Sequence, residues 1–354
     1  MKPQIEKIKK SIIFANKYRN AVAKHKKNDN VGTKRLFFLL LLLCPLALMA
    51  QGGESAFSFL KLPYSSHAAA LGGSNISTID DDLSLSMHNP ALLINTTDKT
   101  LDLSFMTYMS GCKVAGAAFN KTFGQRSAGA VAARYIDYGK FDGYTPDNIF
   151  TGTFRAMDME MDFIYSFLLS ERWSGGVSTK FIYSQYESLK SFAIGVDLGL
   201  NYYNPESDFS ASLTFKNLGG QVMTFEEKHE TMPFDIQLGF TKRLAHAPIM
   251  LSATLTDLHR WKSTHFYNAD GSKDNFGQLL LKHIVLGADL LLGNNFYASV
   301  GYNYRLGREL STGKGMEGFS LGAGLHLDKF KFSASYSKLH ISSSSLHFNI
   351  AYSL

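Results

Sequence analysis

The sequence predicts an all-β fold, a transmembrane antiparallel β-barrel of about 14 strands with a short N-terminal plug-like segment. Three observations predict it. Apolar and polar residues alternate with a period of two through most of residues 100–354, which puts the apolar side chains of each strand on one face. The even-numbered connections between these runs are all short, and the odd-numbered ones include every long loop. Barrels with tight periplasmic turns and longer external loops show that alternation. The chain also ends on such a run, with Leu346, Phe348, Ile350, Tyr352 and Leu354 facing away from His347, Asn349, Ala351 and Ser353.

Residues 1–50 read as a leader and signal peptide that is removed. Lys34 and Arg35 precede an apolar run from Leu36 to Met49, and the small residue Ala50 stands before Gln51. Cation, apolar run and small residue is the order of an export signal, and the run is short for a membrane span. Cleavage is expected between Ala50 and Gln51. The Lys-rich stretch before residue 34 is more than a signal needs, and Val31 is an alternative start. This segment also explains the formal charge of +6. It holds 11 Lys or Arg against 2 acids, whereas residues 51–354 hold 25 against 28. The exported part therefore has no electrostatic footprint for nucleic acid. It keeps one cysteine, Cys112, which cannot form an internal disulfide and is expected to fill space.

Residues 51–99 are small, polar and turn-rich, and are read as the plug or periplasmic segment. They contain Leu71-Gly72-Gly73, the acidic run Asp80-Asp81-Asp82, and Asn89-Pro90-Ala91. Asp80 is expected to cap a short helix from Asp82 to His88, with Pro90 ending it. The acidic run lacks the spacing of a calcium loop.

Residues 100–354 are read as the barrel. Leu101, Leu103 and Phe105 open the alternation. Met157, Met159, Met161, Phe163, Tyr165 and Phe167 continue it opposite Asp158, Glu160 and Asp162. Runs at 192–202, 209–216, 234–241, 249–255, 284–292, 296–306, 319–327 and 330–336 follow. The stretches 112–120, 127–137 and 173–186 are weaker, with many Ala and Gly. Lengths near the 9–11 residues of a tilted spanning strand, with Phe, Leu, Ile and Met on one face and Ser, Gly, Asn and Asp on the other, suit lipid outside and a polar lumen inside.

Catalytic chemistry is thinly represented. Gly313, Gly315 and Gly318 fit a dinucleotide-type pattern but lie between two strands, without the strand–helix unit such a site needs. There is no Gly-x-Ser-x-Gly elbow and no phosphate-binding loop of the Walker type. His246 reads as surface polar beside Pro248. No catalytic, cofactor or metal residue is assigned. Asp158, Glu160 and Asp162 project into the lumen, with Asp197, Asp235 and Asp289 as possible companions. Unpaired buried carboxylates are costly, so pairing with Arg134, Lys180, Lys216 or Arg305 is expected. Functional contacts are sought in the external loops, above all 258–280, where His259, Arg260, Trp261, Phe266, Tyr267 and Asp270 supply the residue types that anchor interfaces. The stretches 138–150, with Tyr138 and Phe141, and 225–232 are second choices.

The stretches Phe57–Leu62, Ala68–Gly73, Asn89–Leu93, Tyr138–Phe141, Pro233–Pro248 and Asp257–Trp261 resemble the FadL-like outer-membrane family, and within it the PorQ-like group of the type IX secretion system. The resemblance implies an outer-membrane location in a Gram-negative bacterium and contact with outer-membrane lipid. It marks Leu71, Gly72, Gly73, Asn89, Pro90 and Ala91 as the plug motif. Phe348, Ile350, Tyr352 and Leu354 become the signal read by the barrel-insertion machinery. It further implies a non-enzymatic role without cofactor, anchoring a surface protein of PorZ type in the attachment complex with PorU and PorV that links cargo to lipopolysaccharide. Alternatives within the same family are a transporter of hydrophobic small molecules and a cargo shuttle of PorV type.

Overall fold

The computed structural model describes residues 56–354 apart from positions 146, 226–228, 267, 269–270, 272, 294, 311–316 and 341–342. The expected signal peptide with its Ala50–Gln51 cleavage site, Tyr267 and Asp270 therefore lie outside the described residues.

Fourteen antiparallel strands close into a barrel. In chain order they are β1 (Thr100–Thr107), β2 (Lys113–Phe123), β3 (Ser127–Tyr144), β4 (Phe150–Leu168), β5 (Trp173–Tyr186), β6 (Leu189–Asn204), β7 (Phe209–Met223), β8 (Asp235–Arg243), β9 (Ile249–Leu255), β10 (Ile284–Leu292), β11 (Phe296–Asn303), β12 (Phe319–His326), β13 (Phe330–His340) and β14 (Ser343–Ser353). Each pairs with its sequence neighbours, and β1 closes on β14 with Thr100 opposite Ser353 and Phe105 opposite Phe348. No sheet edge remains for aggregation, and every spanning backbone group can be satisfied without water.

The burial pattern follows the alternation. Leu101, Leu103 and Phe105 face outward while Asp102 and Ser104 are buried, and Met159, Met161 and Phe163 face outward opposite buried Asp158, Glu160 and Asp162. An apolar belt outside and a polar, filled interior define an integral β-barrel of the outer-membrane type.

Residues 56–99 occupy the interior. They form a 3-10 turn at Ser58–Lys61, the helix α1 (Ser66–Ala70), and 3-10 turns at Leu83–Met87 and Pro90–Asn95. Two sequence expectations need correction here. The second turn is capped by Asp82, whose carboxylate accepts from the Ser84 amide at 2.9 Å, and Asp80 plays no part in it. Pro90 starts the following turn, where its missing N–H costs nothing, and Asn89 caps that turn through the Ala91 amide at 3.0 Å. The plug also explains the weak strands. Ala118, Ala128, Ala130 and Ala132 pack against Leu83 and Leu93, so those strands carry small residues where the plug lies against them.

Three strand ends differ from expectation. The stretch 138–150 is not a loop. β3 and β4 run on past a bulge between Asp137 and Lys140, and only 145–149 connects them. β7 continues to Met223 along β6, past a bulge between Val196 and Leu198 of β6. Strand β11 stops at Asn303, whose side chain accepts from the Leu306 amide at 3.1 Å and starts the helix α3 (Tyr304–Glu309). The helix α2 (Phe276–Lys282) lies in the long loop after β9. The wall is consequently uneven, with strands of 18 and 19 residues at β3 and β4 but 7 at β9.

Candidate functional site

The plug is bonded to the wall around most of the circumference. The Ser66 amide donates to Asn349 Oδ1 on β14 at 2.8 Å, and the Gly72 amide donates to Ser320 Oγ on β12 at 2.9 Å. His67 Nε2 meets Asp289 Oδ1 on β10 at 3.0 Å, and Ser77 Oγ meets Thr241 Oγ1 on β8 at 2.8 Å. The Ser174 hydroxyl on β5 donates to the Ala91 carbonyl at 3.0 Å, and Arg134 Nη1 on β3 donates to the Leu62 carbonyl at 3.0 Å.

The plug motif sits inside this framework. Leu71 is fully buried, and Gly72 and Gly73 leave α1 with φ of 98° and 91°, the left-handed region that glycine tolerates. Asn89 is buried and also donates to the Ile76 carbonyl at 2.8 Å. Opposite Pro90 and Ala91 stands Gly176 of β5, where any Cβ would collide with the Pro90 carbonyl group. The Gly-rich wall is thus shaped to this turn.

The acidic face is paired only in part: among the described residues Asp162 meets no cation within ion-pair distance and its buried Oδ1 has no hydrogen-bond partner, and Lys216 pairs with no acid. Arg134 forks onto Glu160, and Lys180 lies 3.4 Å from Glu160 and 2.9 Å from Asp197. Asp158 accepts from Ser184, from Tyr138 at 2.6 Å and from Tyr186 at 2.9 Å. Asp289 does not join this group, because it serves His67 on another part of the wall.

Beside the plug, at the rim that carries the long loops, lies a cavity of about 500 Å³. Phe59, Leu60, Leu62, Met109 and Leu339 supply its apolar wall, and Lys61, Lys216, Asp235, Asp257 and Arg305 its charges. Asp257 is paired with Arg305, which joins the long loop to α3. Burial acts the other way, but the Arg305 guanidinium holds the Asp257 carboxyl below the usual carboxylate range. Asp235, Asp257 and His259 place one donor atom each within 4.8 Å of one another. Their donor atoms already have protein partners: Arg305 pairs with Asp257, Arg260 Nε donates to His259 Nε2 at 3.1 Å, and Asp235 accepts from Gln237 and from the Asp257 amide, each at 2.6 Å.

The loop residues singled out from sequence are largely tied into the loop itself. His259 packs at a tilt 4.9 Å from Phe234, and burial pushes its imidazole down to about 4 against the pull of Asp257. Trp261 donates from Nε1 to the Leu258 carbonyl at 2.6 Å and lies 4.5 Å from His283, yet keeps 44% of its surface exposed. Phe266 packs edge-on to His283 at 5.4 Å. Lys282 fastens the far side, donating to Asn268 at 2.6 Å and Asp274 at 2.7 Å. Tyr138 points into the cavity toward Asp158, while Phe141 is exposed and stacks on Phe154 at 5.5 Å. On β14, Phe348, Ile350 and Leu354 face outward and Tyr352 packs 4.7 Å from Phe330. Sequence reasoning missed Asp257 and Tyr186 as site residues. Asp257 enters only through the resemblance of the stretch Asp257–Trp261, and Tyr186 lies at the end of a weak strand.

A plug-filled, apolar-belted barrel of fourteen strands is the class that fold and interior define. No protein-family model matches the chain, and no curated relative matches it. Solved structures do share its fold. The toluene transporter TbuX of Ralstonia pickettii superposes with a TM-score of 0.51 at 12% identity, over 83% of this chain and 98% of its own. The monoaromatic hydrocarbon channel CymD gives 0.51 at 14%, over 84% and 98%. The toluene transporter TodX of Pseudomonas putida gives 0.50 at 13%, over 82% and 96%. At these identities the likeness is one of fold alone.

Proposed function

We propose that this barrel is a non-enzymatic anchor that holds a surface partner in the outer membrane, as a PorQ-like component of type IX secretion would. The observation that carries the reading is the plug. It is bonded to strands around most of the wall and backed by buried ion pairs, with a cavity at the long-loop rim. Such an interior suits holding, while the fold shared with solved hydrocarbon transporters weighs on the side of the second reading below. The partner expected from the sequence resemblance is a PorZ-like surface protein, in a complex with PorU and PorV. Contact would be made through the long loop, where Trp261 remains exposed on a stiff framework.

The test is a mild-detergent pull-down of the tagged barrel, with Trp261, Phe266 and Tyr267 replaced together by Ala. Stoichiometric recovery of one large surface protein with the native loop, and its loss with the altered loop in an inserted barrel, is the expected result. Recovery of varied secreted cargo would instead favour a PorV-like shuttle.

A second reading, uptake of a hydrophobic small molecule, is favoured by the fold shared with toluene transporters and by the half-apolar cavity. A barrel that comes down alone, carrying a bound apolar compound, would replace the anchor with this reading.

A further inference from the structure

The lipid-facing surface of β2–β6 changes character abruptly. Ala115, Ala117 and Ala133 point outward where other strands carry Leu or Phe. Met159, Phe181 and Tyr183 stand around them, leaving an apolar groove of about 630 Å³. The groove reaches the outer limit of the apolar belt, which on β4 ends at Met157.

At that limit the strand register gathers cations. Lys113, Asp137, Met157, Gln185 and Lys190 form one outward row across five strands, and Lys140 lies directly opposite Arg155 in the next row out. Lys113, Lys140, Arg155 and Lys190 are all exposed. Among the described residues none of the four meets a carboxylate within ion-pair distance, whereas Arg305, Lys282 and Lys338 at the same end each do. Three acids share this face. Glu187 follows β5 opposite Arg155, its amide donating to the Arg155 carbonyl at 3.3 Å, although no ion pair joins the two side chains. Asp137 accepts from the Gly139 amide at 2.9 Å, and Asp142 lies one row further out, opposite Thr153. Like charges directly opposite in a sheet repel, and neither Glu187 nor Asp142 reaches ion-pair distance of Lys140 or Arg155, so an anion between these two would relieve the pair.

We propose that this face is a binding site for a phosphorylated lipid of the outer leaflet. An acyl chain fills the alanine groove, a phosphate bridges Lys140 and Arg155, and Lys113 and Lys190 flank the headgroup. Charge complementarity and position choose the occupant. The cations stand at headgroup depth directly above an apolar slot, which a soluble anion could not use and a soluble protein could not reach. Arginine beside lysine also suits phosphate oxygens. The site does not depend on whether the barrel anchors a partner or takes up a solute.

The experiment reconstitutes the full barrel in phosphatidylcholine nanodiscs doped with lipid A, and counts lipid A retained per barrel by native mass spectrometry. The variants are Lys140→Gln with Arg155→Gln, Ala133→Phe, and Lys338→Gln as a control, each checked for folding by heat-modifiable gel mobility. We expect at least a tenfold loss of retained lipid A in the charge variant, a smaller loss in Ala133→Phe and none in the control. Equal retention in all four proteins overturns the proposal. So does equal retention of phosphatidylcholine and lipid A, or equal affinity for the deacylated headgroup, because the first removes the role of a net negative phosphate headgroup and the second that of the groove.

Discussion

At the scale of single residues, the interior is governed by the cost of buried charge. Arg134, Glu160, Lys180 and Asp197 form a continuous run of ion pairs across β3–β6. Removing one member leaves its partner charged and poorly solvated, which typically costs about 3–5 kcal/mol. Arg134→Met is expected to lose about 3 kcal/mol, the low end, because Lys180 still faces Glu160. Thermal unfolding in detergent measures it, and an unchanged midpoint would mean that water reaches the pair. The pairing of Glu160 with Arg134 and Lys180 was legible in the sequence, since alternation places them on one face and charge requires partners. The separation of Asp289 from that group was not, because a period of two gives the face of a strand and not its position around the circumference.

At the scale of elements, the long loop between β9 and β10 behaves as a small folded unit. Its helix α2 has a capping box between Asn275 and Gln278, and Lys282 is buried against Asn268 and Asp274. His259 makes the unit sensitive to acid. Its folded pKa of about 4 lies below the ordinary value of 6.5, so the unfolded loop binds the proton more readily. The resulting stability is complete above about pH 6.5 and is lost as pH falls toward 4. Trp261 fluorescence in a Trp173→Phe background should report opening over that window, and His259→Gln should abolish the dependence. Of these features, the sequence displayed the residue types but not the internal packing, which depends on His283 lying beneath both Trp261 and Phe266. Strands were legible where one face meets lipid and the other polar plug. They were faint where Ala and Gly make room for the plug, and their outer ends were misjudged where β3 and β4 rise clear of the membrane and alternation no longer pays.

At the scale of the molecule, wall and plug are complementary parts of one closed body. Gly176→Leu should force Pro90 and Ala91 off β5 while leaving the strand ladder intact. Planar-bilayer recording should then show a rise in ion conductance over the native barrel, and a silent variant would mean that the remaining bonds hold the plug in place. The fold class and the strand number were within reach of sequence alone because they follow from local periodicity. The match between turn and wall was not, since it joins residues 89–91 to 174–176 and 199.

The position of the plug in the chain has a consequence for time as well as space. It precedes β1, yet it bonds both to β4 and β5 and to β12 and β14. Its seat is therefore complete only when strands from both halves of the chain are in place, and the seam between β1 and β14 closes around a segment that both halves hold.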